Sequence, residues 1–123
     1  MAIKCLIVDD VGVSRFVART MLEELGCQVI EAESSEACLE AAEKEPFDFI
    51  LLDWHLRRES GIDLIQQIRK TRGNQATAII VCSGIEHVDA GKNAFAAGAN
   101  GFIPKPLTRP AIEAELRKWK PEE

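Results

Sequence analysis

The chain has 123 residues, of which 46% are hydrophobic and 28% charged, a composition typical of one globular domain rather than of a disordered chain. Fifteen Lys and Arg against 20 Asp and Glu give a net charge of −5, which opposes binding to DNA or to anionic lipid. Apolar runs are too short for a membrane span, and Asp9 and Asp10 interrupt the first where a signal peptide needs its apolar stretch. We therefore expect a cytoplasmic protein that neither binds DNA directly nor inserts into a membrane.

Short apolar runs typical of strands lie at residues 3–8, 28–31, 49–52, 78–82 and 101–103. Between them the apolar residues recur at helical spacing. The first such stretch has its apolar residues at Val13, Phe16, Val17, Met21 and Leu25. Further helices are predicted over residues 37–42, 62–68, 87–97 and 112–119. The chain is thus predicted to contain five units of a strand followed by a helix.

Residues that favour helix ends lie at the boundaries of these units. Gly26 and Gly98 are placed to end the first and fourth helices, and Pro46 follows the second. Ser34 or Ser35 can cap the start of the second helix, and Thr108 before Pro110 can start the fifth.

Strands that are apolar throughout indicate a sheet covered on both faces, and strands joined by helices must run parallel. The predicted fold class is α/β, a doubly wound five-stranded parallel sheet formed by residues 1–123 as a single domain. In such a sheet the ligand site lies beyond the carboxyl ends of the strands.

The four cysteines do not form a metal or redox motif. They are Cys5, Cys27, Cys38 and Cys82, with no C-x-x-C pair and no nearby histidine. Because their neighbours are apolar, we predict reduced thiols buried in the core.

Polar residues follow four of the predicted strands where the strands end. They are Asp9 and Asp10, then Asp53, then Ser83 and Gly84, then Lys105. If the first and third strands are neighbours, three carboxylates share one small volume, and their repulsion is relieved by a divalent cation or by raised pKa values. Oxygen ligands favour Mg²⁺, and Lys105 would add a fixed positive charge.

A single acid at a strand end commonly caps a helix or faces solvent instead. That alternative does not predict an acid pair, a third acid, a hydroxyl and a lysine on the same edge of the sheet. The Ser83 hydroxyl and the main-chain N–H groups of Trp54 and Gly84 are candidate ligands for a bound anion.

Four segments together resemble the response-regulator receiver domains of two-component signalling. They are Leu-Ile-Val-Asp-Asp, Ile-Leu-Leu-Asp-Trp-His-Leu followed by Gly61, Val-Cys-Ser-Gly, and Gly-Phe-Ile-Pro-Lys-Pro, and the likeness extends from about Ile3 to Trp119. The resemblance implies the flavodoxin-like (βα)5 fold with strand order 2-1-3-4-5.

The resemblance also implies roles for individual residues. Asp53 would accept a phosphoryl group from a sensor histidine kinase or a histidine phosphotransfer protein. Asp10, Asp53 and the main-chain carbonyl of His55 would bind Mg²⁺ directly, and Asp9 would bind it through water. Ser83 and Phe102 would form a switch that alters the surface of the fourth helix, fifth strand and fifth helix, where a downstream protein would bind.

The chain departs from the family pattern at Arg57, where a proline is usual four residues after the phosphoacceptor. His55 lies where receivers vary in phosphoryl lifetime and could position or exclude the hydrolytic water, although plain solvent exposure is the more common explanation for such a residue. The resemblance further implies a cis peptide bond between Lys105 and Pro106.

No output domain is expected, because the chain ends soon after Trp119, so the signal would pass to a separate partner. A basic group on the fifth helix could bind an acidic protein or a nucleotide, although such residues more often face solvent; it comprises Arg109, Arg117, Lys118 and Lys120. The alternatives are an interaction module that works without phosphorylation, a phosphate sink or relay intermediate, and a metal-dependent hydrolase. The sequence lacks the P-loop and Gly-x-Ser-x-Gly motifs of common hydrolases.

Overall fold

The computed structural model describes residues 3–53, 61–84 and 95–119. The strands are β1 (Lys4–Val8), β2 (Gln28–Ala32), β3 (Phe49–Asp53), β4 (Ala78–Ser83) and β5 (Gly101–Pro104). The helices are α1 (Gly12–Glu24), α2 (Ser35–Lys44), α3 (Gly61–Lys70) and α5 (Arg109–Lys118). Residues 95–97 are helical and are labelled α4; the rest of the predicted fourth helix lies outside the described residues. None of the helices in these three ranges is long and apolar enough to cross a membrane.

All five strands run parallel in the order β2-β1-β3-β4-β5, which confirms the predicted fold class and strand order. The strand order reverses between β1 and β3. Asp53 at the end of β3 is level with Cys82 of β4, and Val8 of β1 is level with Leu52 of β3. The carboxyl ends of β1, β3 and β4 therefore meet at one edge, where the sequence predicts a ligand site.

Side chains alternate between the two faces of the sheet and form two cores. On one face, Leu6, Ile50 and Ile79 pack with the buried residues of α2 and α3. On the other face, Ile7, Leu51 and Ile80 pack with those of α1 and α5. Each fully buried Leu or Ile side chain contributes about 1.5–3 kcal/mol to folding, so both faces stabilise the sheet.

The boundary signals in the sequence behave as predicted. Ser34 Oγ accepts a hydrogen bond from the Ala37 N–H at 3.1 Å, and Thr108 Oγ1 accepts one from the Ala111 N–H at 3.3 Å. Gly26 and Gly98 have φ of 90° and 112°, in the left-handed region that glycine adopts most readily. Ser34, rather than Ser35, is therefore the cap of α2.

The apolar spacing correctly predicts α1 but identifies its buried face only in part, because Met21 and Leu25 pack against the core and the other three predicted residues are exposed. Ala18 and Leu22 are buried against the sheet, whereas Val13, Phe16 and Val17 are 75%, 67% and 40% exposed. Because Ala18 and Leu22 occupy the buried face, the helical repeat places Val13 and Phe16 on the side that faces solvent.

The strand β2 also differs from the prediction of strands covered on both faces. Gln28, Ile30 and Glu31 are exposed, because β2 is an edge strand that pairs only with β1 among the described strands. Coverage of both faces therefore applies to β1, β3 and β4, whose residues are almost all buried.

The amino-terminal edge of the sheet is joined by two polar networks. The fully buried Asn74 side chain accepts from the Phe47 N–H at 2.9 Å and donates to the Ala42 carbonyl at 2.9 Å. The Arg69 guanidinium donates to the Thr77 and Gly98 carbonyls and to Asn100 Oδ1. Burial lowers the pKa of Arg69, which nevertheless remains charged, since an arginine pKa lies far above neutrality. These networks tie α2 and α3 to the starts of β3, β4 and β5.

Candidate functional site

Three carboxylates converge at the carboxyl-terminal edge of the sheet. Asp9 follows β1, Asp10 follows Asp9, and Asp53 is the last residue of β3. Each offers one oxygen, and these oxygens lie within 4.8 Å of one another. Asp9 and Asp53 are buried and Asp10 is half-buried. The parallel pairing of β1 with β3 produces this convergence, as the sequence predicts.

Lys105 supplies the positive charge at this site. Its Nζ lies 3.3 Å from Asp9 Oδ2 and 3.5 Å from Asp53 Oδ1. The peptide bond to Pro106 is cis, which confirms the prediction, and the Lys105 N–H donates to the Ser83 carbonyl at 2.8 Å. Burial lowers the pKa of Lys105, but Asp53 and Asp9 together raise it above its ordinary value. The lysine is therefore charged at neutral pH.

The Asp9 carboxylate is held in place from two sides. Its Oδ1 accepts from the Val11 N–H at 2.9 Å, and its Oδ2 accepts from Lys105 Nζ. Its main chain is also anchored, because its N–H donates to the Ala32 carbonyl at 3.1 Å. Asp9 is thus oriented toward the centre of the cluster independently of any cation.

Ser83 lies at the end of β4, one residue beyond Cys82, which is level with Asp53. The side chain is buried, and its Oγ has no hydrogen-bond partner in the part of the chain that the structure describes. Leaving a buried hydroxyl unpaired is unfavourable by about 1–3 kcal/mol, so such a group at a strand end indicates a place for a ligand atom. Gly84, which follows it, is half-buried.

The remaining predicted residues fall in three groups. Phe102 is half-buried on β5 and packs against the core on the α2 and α3 face. Trp54 and His55 lie outside the described residues, as do Arg57 and most of the predicted fourth helix. All four cysteines are reduced and buried, which confirms their predicted place in the core, and burial raises the pKa of the Cys38 thiol to about 12.

Each described member of the predicted basic group on α5 forms an ion pair with a glutamate. Arg117 contacts Glu113, Lys118 contacts Glu115, and Arg109 contacts Glu24 of α1. Lys120 lies outside the described residues. These contacts favour the simpler interpretation of the basic residues as a solvated helix surface.

Sequence reasoning missed two features beside the carboxylates. The Arg15 guanidinium contacts the Asp9 main chain, and Val11, Val13 and Phe16 form an exposed apolar stripe at the start of α1, beginning directly after Asp10 with Val11 as the residue before the helix. The one sequence feature that indicates this exposed stripe is that the α1 segment has more apolar residues than one buried helix face needs. The Arg15 contact depends on how α1 lies along β1 and β2, which spacing alone does not determine.

The composition of the site fits a magnesium ion. Three carboxylates in one small volume provide the hard oxygen ligands that Mg²⁺ prefers, and too few of them to replace all of its water.

A family model described as the response regulator receiver domain matches residues 5–117. The sensor histidine kinase AruS of Pseudomonas aeruginosa is 37% identical over 117 residues, covering 94% of this chain but only 12% of that protein. The chemotaxis protein CheY-3 of Vibrio cholerae is 31% identical over 116 residues, covering 94% of this chain and 89% of that protein.

Two solved structures extend the comparison. The receiver domain of the sensor histidine kinase PA1611 of Pseudomonas aeruginosa, solved with a magnesium ion in its active-site cleft, superposes with a TM-score of 0.87 at 26% identity and covers 97% of this chain and 98% of that one. A response regulator from Burkholderia pseudomallei with a phosphorylated aspartic acid gives 0.82 at 29% identity, covering 92% and 65%. The chain belongs to the response regulator receiver domain family of two-component signalling.

Proposed function

We propose that this receiver, a single domain over residues 1–123, accepts a phosphoryl group on Asp53 in a Mg²⁺-dependent reaction in the cytoplasm. The observation that carries the proposal is the placement of Asp53 at the end of β3, with two further carboxylates within 4.8 Å and Lys105 Nζ at 3.5 Å. The donor would be a phosphohistidine on a sensor histidine kinase or a histidine phosphotransfer protein. The protein would act on itself and not on an external substrate.

In the transfer, an Asp53 carboxylate oxygen forms a bond to phosphorus as the bond from phosphorus to the donor imidazole nitrogen breaks. The imidazole keeps the electron pair of the broken bond. Charge on the three other phosphoryl oxygens must be stabilised while this happens. Lys105, already beside Asp53, is placed to stabilise one of them, and the Ser83 hydroxyl, which has no partner among the described residues, can donate to another.

Asp10, Asp53 and the main-chain carbonyl of His55 would hold Mg²⁺ directly, with Asp9 acting through a bound water. When bound, the ion supplies positive charge that relieves the repulsion among the carboxylates and attracts phosphoryl oxygens. The Asp9 carboxylate already has two donors, Val11 N–H and Lys105 Nζ, which suits an indirect role. The N–H groups of Trp54 and Gly84 are proposed as further donors to the phosphoryl group.

Phosphorylation replaces a carboxylate of charge −1 by an acyl phosphate of about −2. The added charge would draw the Ser83 hydroxyl and Lys105 toward Asp53, and the Lys105 N–H bond to the Ser83 carbonyl couples β5 to β4. Phe102, half-buried on β5, would then repack and change the α4-β5-α5 surface that a downstream protein binds. Because phenylalanine has no hydroxyl, this coupling would depend on packing alone.

The exposed stripe on α1 supports a protein as the phosphodonor. Val11, Val13 and Phe16 are 51%, 75% and 67% exposed, and Val11 immediately follows Asp10. A phosphohistidine can reach Asp53 only if its protein covers the surface around the site. Apolar contact on this stripe would hold a donor there while the phosphoryl group is transferred.

The test is to add Mg²⁺ and then beryllofluoride, a phosphoryl mimic, while following tryptophan fluorescence from Trp54, with Asp53→Asn as the control. Mass spectrometry of the intact chain after incubation with acetyl phosphate measures phosphorylation directly. A saturable Mg²⁺-dependent change and one added phosphoryl group, both absent from the variant, are expected. If neither appears, the protein is an interaction module that works without phosphorylation.

The kinase relatives favour one specific setting for this activity. Both AruS and PA1611 are sensor histidine kinases. A receiver of that kind would serve as a relay intermediate or a phosphate sink, passing its phosphoryl group to or from a phosphotransfer histidine. Mixing the phosphorylated chain with a histidine phosphotransfer protein tests this. Relay function requires the phosphoryl group to transfer to the histidine faster than it is hydrolysed.

A further inference from the structure

Arg15 of α1 bridges the carboxylate site and the edge strand. Its Nη1 donates to the main-chain carbonyl of Asp9 at 2.8 Å, and its Nε donates to Glu31 Oε1 at 3.1 Å. The side chain is 18% exposed, so these are partly buried contacts. Glu31 is held in turn by Arg19, whose Nη1 lies 2.6 Å from Glu31 Oε2.

This bridge completes the anchoring of the Asp9 main chain. The Asp9 N–H already donates to the Ala32 carbonyl of β2. With Arg15 as donor to the Asp9 carbonyl, both main-chain polar groups of Asp9 are hydrogen-bonded. The carbonyl of Asp9 belongs to the peptide unit that leads to Asp10. The orientation of that unit sets the directions in which the Asp9 and Asp10 side chains leave the backbone, since a peptide unit is planar.

We propose that Arg15, oriented by Glu31, is a positioning residue for the divalent-cation site, fixing the peptide between Asp9 and Asp10 so that the Asp10 carboxylate meets the ion and the Asp9 carboxylate meets its bound water. The inference rests on the proposed function, in which these carboxylates bind Mg²⁺. Groups that orient metal ligands typically change metal affinity 10-fold to 100-fold when they are removed.

A purely electrostatic role for Arg15 makes the opposite prediction. A guanidinium near the cluster repels a divalent cation, so removing its charge would strengthen Mg²⁺ binding. A positioning role predicts weaker binding when the contact is lost, whether or not the charge is kept. The direction of the change therefore separates the two roles.

The chain contains a matched control one helical turn away. Arg19 shares Glu31 with Arg15 but makes no hydrogen bond to Asp9, so Arg15→Met and Arg19→Met remove the same charge and differ in the hydrogen bond to Asp9. Calorimetric titration of the full chain with MgCl₂ is expected to show about 10-fold weaker binding for Arg15→Met and a change of less than about 2-fold for Arg19→Met. Arg15→Lys, compared with Arg19→Lys, keeps the charge and is expected to weaken binding in the same direction.

Thermal unfolding without Mg²⁺ is measured for each variant, because a merely structural role lowers the midpoint and leaves Mg²⁺ affinity unchanged. The lysine pair decides the comparison if Arg15→Met does not fold. Equal affinity of the Arg15 and Arg19 variants, or tighter binding by the Arg15 variants, overturns this inference alone. Failure of the wild-type chain to bind Mg²⁺ overturns the metal site and this inference together.

Discussion

Replacing Asp53 by asparagine is expected to stabilise the protein in the absence of Mg²⁺. Asp53 lies within 4.8 Å of the oxygens of both Asp9 and Asp10. At an effective dielectric constant of about 20, each such pair of charges repels by about 3.5 kcal/mol. Lys105 at 3.5 Å attracts Asp53 by about 5 kcal/mol on the same basis. Among these three described neighbours of Asp53, the repulsion from the two acids therefore exceeds the attraction to Lys105 by about 2 kcal/mol.

The asparagine side chain has nearly the same shape and no charge, so Asp53→Asn removes this excess. For a chain of this length, about 2 kcal/mol corresponds to a rise of roughly 6–10 °C in the unfolding midpoint. The assay is thermal unfolding by circular dichroism at pH 7 in EDTA. Asp63→Asn is the control, since Asp63 is exposed in the first turn of α3 and its loss makes the same change in net charge.

Adding Mg²⁺ should reduce the difference. A ligand at 100 times its Kd stabilises the folded state by about 2.7 kcal/mol, and the wild-type chain gains this in full. Asp53→Asn loses one carboxylate ligand and gains less at the same concentration. The reasoning fails if Asp53→Asn is no more stable than wild type in EDTA, or if Asp63→Asn shows the same stabilisation.

Four further predictions concern the proposed donor surface, the proposed switch, the phosphoryl lifetime and Lys105. Phe16→Ala is expected to slow phosphorylation by a protein donor at least about 5-fold while the rate with acetyl phosphate stays unchanged; equal slowing of both, followed by mass spectrometry, would contradict a docking role for the stripe. Phe102→Ala should leave phosphorylation nearly intact but weaken partner binding on phosphorylation, and equal losses of both would argue against a switch. His55→Ala should change the autodephosphorylation rate, and an unchanged rate would leave His55 with no role in phosphoryl lifetime. Although burial lowers the pKa of Lys105, the Asp53 and Asp9 carboxylates raise it overall, so the stabilising effect of the ammonium is complete below about pH 10.4 and is lost as pH rises through the higher folded-state pKa. The difference in free energy of unfolding between wild type and Lys105→Gln, from urea titrations, should therefore stay level from pH 7 to about pH 10 and shrink above that; a difference that shrinks well below pH 10 would contradict the raised pKa.

The sequence predicts the carboxylate site well because that prediction needs only strand ends. Asp9 and Asp53 directly follow apolar runs, and parallel strands bring such residues to one edge whatever the helices do. The position of Lys105 follows from the same rule applied to β5. The strand order itself depended on the family resemblance, since several orders are compatible with five alternating units.

The sequence predicts side-chain orientation on α1 less well. Apolar spacing identifies the helix, but Val13 and Phe16 satisfy that spacing as well as Leu22 does. Which face is buried depends on how α1 packs on the sheet through Ala18 and Leu22, which the spacing of apolar residues alone does not determine. The contact between Arg15 and Asp9 could not be predicted from the sequence for a related reason. Arg15 joins α1 to the end of β1 and the end of β2, and the relative placement of these three elements is a tertiary property.

The two networks around Asn74 and Arg69 make the ends of the sheet mechanically unequal. At the amino-terminal edge, the Asn74 and Arg69 side chains hydrogen-bond α2 and α3 to the starts of β3, β4 and β5. At the opposite edge, Arg15 joins α1 to the ends of β1 and β2, whereas the buried Ser83 Oγ at the end of β4 has no hydrogen-bond partner among the described residues. If phosphorylation of Asp53 displaces the groups beside it, as we propose, the anchored strand starts would resist a tilt of the whole sheet, and we expect the displacement to follow β4 and β5. Amide exchange would record this asymmetry as protection at Phe47 that is the same with and without beryllofluoride, and protection near Phe102 that changes.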